Sequence, residues 1–192
     1  MGKVVLPAFT LSGVLPPYHP KQGATADDVH GRSPYLITPE QLVATFATSA
    51  ERKSLLRDLF QYRQTLRDLG FHGYQWIDGS FLEDVEALRG RPPGDIDLVT
   101  FVARPAVYEG DVEWGVFLDQ NIDALFAEDL RLDCFFVDLS LPPPVVVRQS
   151  VFWFGLFSHQ RETALWKGIV QIELDADDTA AVAMLEGGEH AN

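Results

Sequence analysis

The sequence predicts an α+β fold in which a small mixed sheet carries layered helices packed on it. Two observations predict this class. Segments with helical periodicity alternate with short apolar runs of strand composition, in the order helix, strand, helix, strand, helix, strand. Hydrophobic residues make up 46% of the 192 residues, which is enough to bury the core of a single domain.

The first 36 residues are rich in proline and glycine and lack a periodic pattern, so residues 1–36 are predicted to form an extended arm. Residues 37–192 are then predicted to form one domain that ends in a helical and strand extension. Thr38 is a suitable N-cap for its first helix. Pro39 follows at the first helical position, where its missing N–H costs nothing. The second helix is predicted to begin after Ser49 and to end at Gly70.

This second helix has apolar residues at helical spacing, namely Leu55, Leu59, Tyr62, Leu66 and Leu69. Its basic residues are predicted to lie mostly on the other faces of the helix: Arg52, Lys53, Arg57, Arg63 and Arg67.

Strand composition follows at three places, residues 74–77, 95–103 and 130–140, with a helix predicted over 117–129. The prolines at 142–144 interrupt the chain. After them we expect an apolar and then mixed helix over 150–166, an edge strand over 167–174 and a short helix over 177–185. The aromatic residues Phe152, Trp153, Phe154 and Phe157 are predicted to be core beneath the sheet, with a docking surface as the alternative.

The composition excludes several classes of function. The net charge of −13, from 28 acidic and 15 basic residues, argues against nonspecific nucleic-acid binding, which requires cations that displace counterions from phosphates. Cys134 is the only cysteine, so no intramolecular disulfide can form and a reducing cytoplasm is the expected location. No apolar run approaches the ~20 residues of a membrane helix. The histidines lack the spacing of zinc ligands.

The Gly79-Ser80 dipeptide stands between a predicted strand and a predicted helix. Ser80 and Glu83 have the spacing of a capping box, in which each side chain bonds a backbone amide of the first turn. The same junction directs free amides and the positive end of the helix dipole at one point, which is how many proteins hold phosphate. Both interpretations stay open here.

Asp95 and Asp97 are separated by one residue of the second strand. Side chains alternate along a strand, so the two carboxylates share one face roughly 6 to 7 Å apart, while Ile96 and Leu98 face the core. Two such carboxylates repel each other unless a cation lies beside them. Mg²⁺ fits, because one or two carboxylates together with substrate phosphates commonly hold it. A solvated acidic face on an edge strand is the alternative.

The ordered combination of Gly79-Ser80, a helical spacer and Asp95-Ile-Asp97 resembles the signature of the polymerase-β-like nucleotidyltransferase superfamily, especially its small bacterial members. The resemblance covers roughly residues 50–140. It implies a nucleotidyltransferase-like domain in which Gly79 and Ser80 contact the triphosphate of an NTP. It also implies that Asp95 and Asp97, with a third carboxylate on a neighbouring strand, bind two Mg²⁺ ions.

The third carboxylate is expected to be Asp133, which precedes the apolar run 134–137 as in the family pattern, and Asp138 is the alternative. Asp133 could also assist deprotonation of the acceptor. The alternative without a function is that Asp133 and Asp138 both merely mark the ends of the strand.

Fourteen residues separate Ser80 from Asp95, slightly more than the family's usual spacer, and the excess lies in a loop that carries Arg89 and Arg91. These arginines could bind the triphosphate, or they could be ordinary surface residues. Arg161 and Lys167 could also approach phosphate, although a solvated helix end explains them equally well.

The resemblance implies transfer of a nucleoside monophosphate from an NTP to a hydroxyl of a protein, a small molecule or RNA, with RNA disfavoured by the charge. An alternative is a catalytically silent binding protein of a bacterial toxin–antitoxin or defence system. A sugar-nucleotide glycosyltransferase also uses Asp-x-Asp, but too little chain precedes Asp95 for its larger fold.

Overall fold

The computed structural model describes residues 6–19, 31–108, 110–127 and 129–187. In these residues a five-stranded mixed sheet has helices on both faces, which confirms the α+β class. The strands, in chain order, are β1 (Tyr35–Leu36), β2 (His72–Asp78), β3 (Ile96–Ala103), β4 (Leu132–Asp138) and β5 (Val170–Glu173).

The order of the strands across the sheet is β1-β5-β2-β3-β4. β2 pairs antiparallel with both β3 and β5, whereas β3–β4 and β1–β5 are parallel pairs. The helices are α1 (Pro39–Phe46), α2 (Ala50–Asp68), α3 (Val85–Arg89), α4 (Asp111–Gln120), α5 (Ile122–Phe126), α6 (Pro143–Phe157) and α7 (Thr179–Gly187).

The starts of α1 and α2 are those that the sequence predicts. The Thr38 hydroxyl accepts a hydrogen bond from the Gln41 amide at 3.3 Å, and the Gln41 side chain accepts one from the Thr38 amide at 3.0 Å. Ser49 Oγ accepts from the amide of Arg52 at 3.3 Å. These bonds satisfy amides that have no partner within the helix.

The two faces of the sheet form two cores because side chains alternate along each strand. On β3, Ile96, Leu98 and Val102 face the larger core, which also takes in buried residues of α1, α2, α4, α5 and α7. Val99 and Phe101 face a smaller core that includes Phe157 of α6. Asp97 has the parity of this second face, so it lies beside the smaller core and not within the larger one.

Three predictions about element type or position are wrong. The helix predicted over 117–129 is two helices, α4 and α5, and begins at Asp111. The helix predicted over 150–166 begins earlier, at Pro143, where proline is tolerated, and ends at Phe157. The strand predicted at the sheet edge is internal, because β1 from the N-terminal segment pairs with the outer side of β5.

Two of the basic residues of α2 are buried in the fold. Arg52 and Arg63 are buried, at 2% and 0% exposure. The Arg63 guanidinium donates to Asp178 Oδ2 at 2.9 Å and to Gln75 Oε1 at 2.8 Å. A buried charge persists only when it is paired, and these partners are distant in sequence, so helical periodicity could not reveal them.

Part of the predicted arm packs on the domain. Val14 and Leu15 are buried, and the hydroxyl of the buried Tyr35 donates to the carbonyl of Pro16 at 2.8 Å. Residues 1–5 and 20–30 of the predicted arm lie outside the described residues. The domain boundary at residue 36 stays a prediction.

Candidate active site

A sharp bend follows β2 and begins the candidate site. Gly79 has a φ of 79°, a left-handed conformation that residues with a Cβ adopt at a cost. A Cβ built on Gly79 would also overlap the carboxylate of Asp97. Glycine is therefore needed for both the turn and the close approach of the bend to the acidic residue of the next strand.

The capping box predicted for Ser80 and Glu83 is wrong. Residues Gly79–Leu82 form a short 3-10 turn, and α3 starts only at Val85. Glu83 is 5% exposed, and its carboxylate accepts from Gln160 Nε2 at 2.7 Å and from Lys167 Nζ at 3.1 Å. Glu83 is engaged by partners from a segment about eighty residues later in the chain, so it does not reach back to the amide of the cap.

Strand register aligns three carboxylates across neighbouring strands. Asp97 on β3 is the direct partner of Asp78 on β2 and of Asp133 on β4. Asp95 lies one residue before β3. Asp78 is one of the residues that the sequence prediction missed, although its place directly before Gly79 at the end of an apolar strand was a usable signal.

One cavity, of about 300 Å³, brings together all the residues predicted for the site. Its lining includes Gly79, Ser80, Arg89, Arg91, Asp95, Asp97 and Asp133. It also includes residues that the prediction did not assign to the site, among them Asp78, Glu83, His159, Gln160, Arg161 and Lys167. Proximity of the predicted residues is a structural observation, whereas their chemical roles stay predictions.

Asp138, the alternative third carboxylate, is not among the residues that line this cavity. It accepts from Arg104 Nε at 2.8 Å and from the Ser140 amide at 2.8 Å. Asp133 and Asp138 are five residues apart on one strand and therefore face opposite sides of the sheet. Of the two candidates, the structure brings Asp133 to the cavity.

Lys167 is the most deeply placed cation of the cavity. It is 3% exposed, so the solvated helix end considered for it is wrong. Its Nζ lies 3.1 Å from the Gly79 carbonyl, 3.1 Å from Glu83 Oε1 and 3.1 Å from Asp78 Oδ1. The contact with Asp78 is an ion pair without the geometry of a hydrogen bond, so Asp78 Oδ1 is buried without a hydrogen-bond partner in the described residues.

Burial and neighbouring charges raise the pKa values of two acidic side chains of the cavity, Asp97 and Asp78. Burial, and next the charge of Asp95, raises the pKa of Asp97, while Arg161 and Lys167 act in the opposite direction. Burial raises the pKa of Asp78 to about 7, against the lowering effect of Lys167. A further cation between these groups would stabilise their ionised forms.

The oxygen ligands and their spacing fit Mg²⁺ in part. Among the described residues, no group of three or more His, Cys, Asp or Glu side chains is arranged so that it could hold a metal ion. Mg²⁺ does not need such a cage, because one or two carboxylates with substrate phosphates and water commonly complete its coordination. The crowded carboxylates of Asp97 and its neighbours suit that mode, in which the substrate supplies the remaining ligands.

Arginines occupy the exposed side of the cavity and make long ion pairs. Arg89 Nη2 lies 3.5 Å from Glu83 and 3.5 Å from Glu162, and Arg161 Nη2 lies 3.7 Å from Asp97. The Arg161 side chain is 80% exposed. Such pairs contribute little to stability, so these side chains can change partners at low cost when an anion enters.

A family model matches residues 7–173, and its description is a family of unknown function, DUF6932. The chain belongs to this family. The DUF6932 match includes the bend, β2 to β5 and every residue that lines the cavity, from Asp78 to Lys167. No protein of curated function and no solved structure matches the chain.

The described helices of this DUF6932 member include none that is long and apolar enough to cross a membrane.

Proposed function

We propose that the protein is a metal-dependent nucleotidyltransferase, which transfers a nucleoside monophosphate from an NTP to a hydroxyl of a protein, a small molecule or RNA. The observation that carries this proposal is the row of Asp78, Asp97 and Asp133 across three adjacent strands, in which Asp97 lies against the Gly79 bend. The resemblance of the motif to nucleotidyltransferases supports it, and so does the convergence of all predicted residues on one cavity.

The bend and the arginines bind the triphosphate in this proposal. As the resemblance implies, the backbone of the turn at Gly79 and Ser80 would contact a phosphate. The Ser80 hydroxyl has no hydrogen-bond partner among the described residues and is available as a donor. Arg89 and Arg91 line the same cavity and neutralise phosphate charge.

The acidic residues hold the metal and receive the proton. Asp95, Asp97 and Asp133 would hold Mg²⁺, which when bound polarises the phosphate and stabilises the negative charge of the leaving pyrophosphate. The acceptor hydroxyl oxygen attacks the α-phosphorus, and the bond from that phosphorus to the bridging oxygen of the β-phosphate breaks. Asp133 takes the hydroxyl proton in the same step.

The charge of the whole chain restricts the acceptor. At −13 the protein repels polyanions at long range, so a protein or small-molecule hydroxyl is favoured over RNA.

Label transfer tests the proposal. Each of the four α-labelled NTPs is incubated with Mg²⁺, a cell lysate and either the native protein, Asp97→Asn or Asp138→Asn. We expect transfer from at least one NTP by the native protein and a loss of about 10³-fold or more with Asp97→Asn. Asp138→Asn is the matched control, because Asp138 is an acid of the same sheet outside the cavity. Transfer that survives Asp97→Asn contradicts the proposal.

A catalytically silent binding protein, as in a toxin–antitoxin pair, is the second candidate. It is supported by four apolar residues of α6 that are at least 43% exposed: Val147, Val151, Phe152 and Leu156. If this candidate is right, no NTP gives label transfer, and Phe152→Ser abolishes the retention of a partner that the native protein retains.

A further inference from the structure

Arg52 is a buried cation of α2 that holds the turn after β2. It is 2% exposed. Its Nη1 donates to the carbonyl of Phe81 at 2.7 Å, and its Nη2 donates to the carbonyl of Glu83 at 2.6 Å. The guanidinium carbon also lies 5.3 Å from the centre of the Phe81 ring. One planar group therefore ties two carbonyls of the turn to a helix residue that precedes them by 29 and 31 positions.

Glu86 balances this buried charge from outside the cavity of the acidic residues. Its carboxylate accepts from Nε of Arg52 at 2.7 Å and from Nη2 at 2.8 Å. Such a two-point pair fixes the plane of the guanidinium as well as its position. Neither Arg52 nor Glu86 is among the residues that line the acidic cavity, and both line a separate cavity of about 530 Å³. An effect of Arg52 on the acidic cavity is therefore exerted through the turn.

The carbonyl groups of the turn are almost all occupied. The Gly79 carbonyl accepts from Lys167 Nζ at 3.1 Å, and the Ser80 carbonyl accepts from the amide of Glu83 at 3.2 Å. With the two carbonyls that Arg52 binds, four of the five carbonyls of residues 79–83 accept a hydrogen bond. Hydrogen bonds from buried cations polarise the peptide groups, which makes the carbonyls less repulsive to an anion and the amides stronger donors. The backbone of this turn is thus more favourable to an anion than an unbonded turn would be.

We propose that Arg52 is a positioning residue for the triphosphate: it holds the turn in the conformation in which the backbone of Gly79 and Ser80 receives a phosphate. This inference rests on the proposed function. A turn that is already fixed binds a phosphate more tightly, because little conformational entropy is lost when the ligand arrives. Arg52 itself does not touch the ligand and transfers no proton.

A matched pair of double variants tests this role. Arg52→Met/Glu86→Gln removes the guanidinium together with its carboxylate, so that neither charge is left without its partner. Arg63→Met/Asp178→Asn removes a second buried pair of the same helix, whose arginine donates to β2, to β5 and to Asp178 and not to the turn. The probes are Mn²⁺ and a non-hydrolysable α,β-methylene analogue of each of the four NTPs, and equilibrium dialysis measures the affinity for each analogue.

Among variants that keep the native circular dichroism spectrum, we expect the Arg52 variant to bind the analogue at least about tenfold more weakly than the native protein and the Arg63 variant to stay within about threefold. A purely structural role predicts equal losses, so equal losses, or no loss in the Arg52 variant, contradict the inference and leave the proposed function intact. If the native protein retains none of the four analogues, the proposed function itself fails, and this inference fails with it.

Two further measurements decide the question if a double variant does not fold. Arg52→Lys keeps the charge but replaces the planar fork with one nitrogen, and it is expected to bind the analogue at least about threefold more weakly. Unchanged affinity would overturn the inference. In the native protein, NMR measures the exchange of the Arg52 guanidinium protons with water. We expect exchange no faster with the analogue bound, because the bonds to the turn persist; faster exchange would mean that the turn leaves Arg52 on binding, and would also overturn it.

Discussion

Asp78 shows how much a single buried residue alters the site. It is 4% exposed and faces Asp97 across the strand pair. Its Oδ1 forms an ion pair with Lys167 but accepts no hydrogen bond from the described residues. Its pKa of about 7 means that the folded protein holds this proton far more tightly than the unfolded chain does. Stability from this group is therefore fully present below about pH 4 and is lost as the pH rises through about 7.

The variant Asp78→Asn isolates this dependence. We expect the free energy of unfolding of the native protein, minus that of the variant, to decrease between pH 4.5 and 7.5, with a slope of at most about 1.4 kcal/mol per pH unit. Urea unfolding at four pH values in EDTA measures the difference, and subtracting the variant cancels the titration of the other carboxylates. A difference that does not change with pH would falsify the assigned pKa direction.

At the scale of elements, α6 shows how one helix separates core residues from surface residues. Trp153 lies 4.4 Å from Phe135, and Phe154 lies 6.2 Å from Trp76, in both cases between ring centroids, whereas the neighbouring Phe152 is 61% exposed. The aromatic residues that were predicted to be core are thus divided, with three packed against the sheet and one on the surface. Phe157 extends the packed face to the edge of the cavity.

Two adjacent aromatic residues of α6 make a matched pair for testing this packing. Trp153→Ala removes a half-buried ring from the sheet and is expected to destabilise the fold by roughly 1–3 kcal/mol. Phe152→Ala, one residue earlier, is expected to change stability by no more than about 0.5 kcal/mol. Denaturant unfolding of both variants at pH 7 measures the costs. Equal costs, or a larger cost for Phe152→Ala, would mean that α6 presents a different face to the sheet.

At the scale of the whole molecule, the proposed metal site would couple metal binding to folding through the acidic row. An ion that binds only the folded protein stabilises it by about 1.4 kcal/mol at ten times its dissociation constant. For a domain of this size that corresponds to a rise in Tm of roughly 3 to 6 °C. Because burial and the charge of Asp95 raise the pKa of Asp97, a metal ion bound as proposed would compete with protons for this carboxylate.

We therefore expect Mg²⁺ or Mn²⁺ to raise the Tm at pH 7.5, to raise it less at pH 5, and to have no such effect on Asp97→Asn. Differential scanning fluorimetry at equal ionic strength, with NaCl in place of the divalent salt as the control, measures these shifts. An equal rise for the native protein and Asp97→Asn would place the metal elsewhere.

The sequence by itself determined the fold class, the caps and span of α2, and the positions of β2, β3 and β4. These features depend on local periodicity and on capping residues such as Thr38 and Ser49, which act within a few positions of the chain. The sequence also picked out part of the cavity lining, because Gly79 and the alternation of Asp95 and Asp97 are local patterns.

Only the tertiary structure decided the rest of the site. Asp78 joins it through strand register, and Lys167 joins it from a segment that follows α6, about ninety residues after Asp78. The same long-range pairing buries Arg63 against Asp178, makes β5 internal and diverts Glu83 from the capping box. The physical reason is common to all of these cases: a buried charge or an unpaired strand edge is satisfied by whichever partner the fold brings near, and that partner leaves no periodic signal in the sequence.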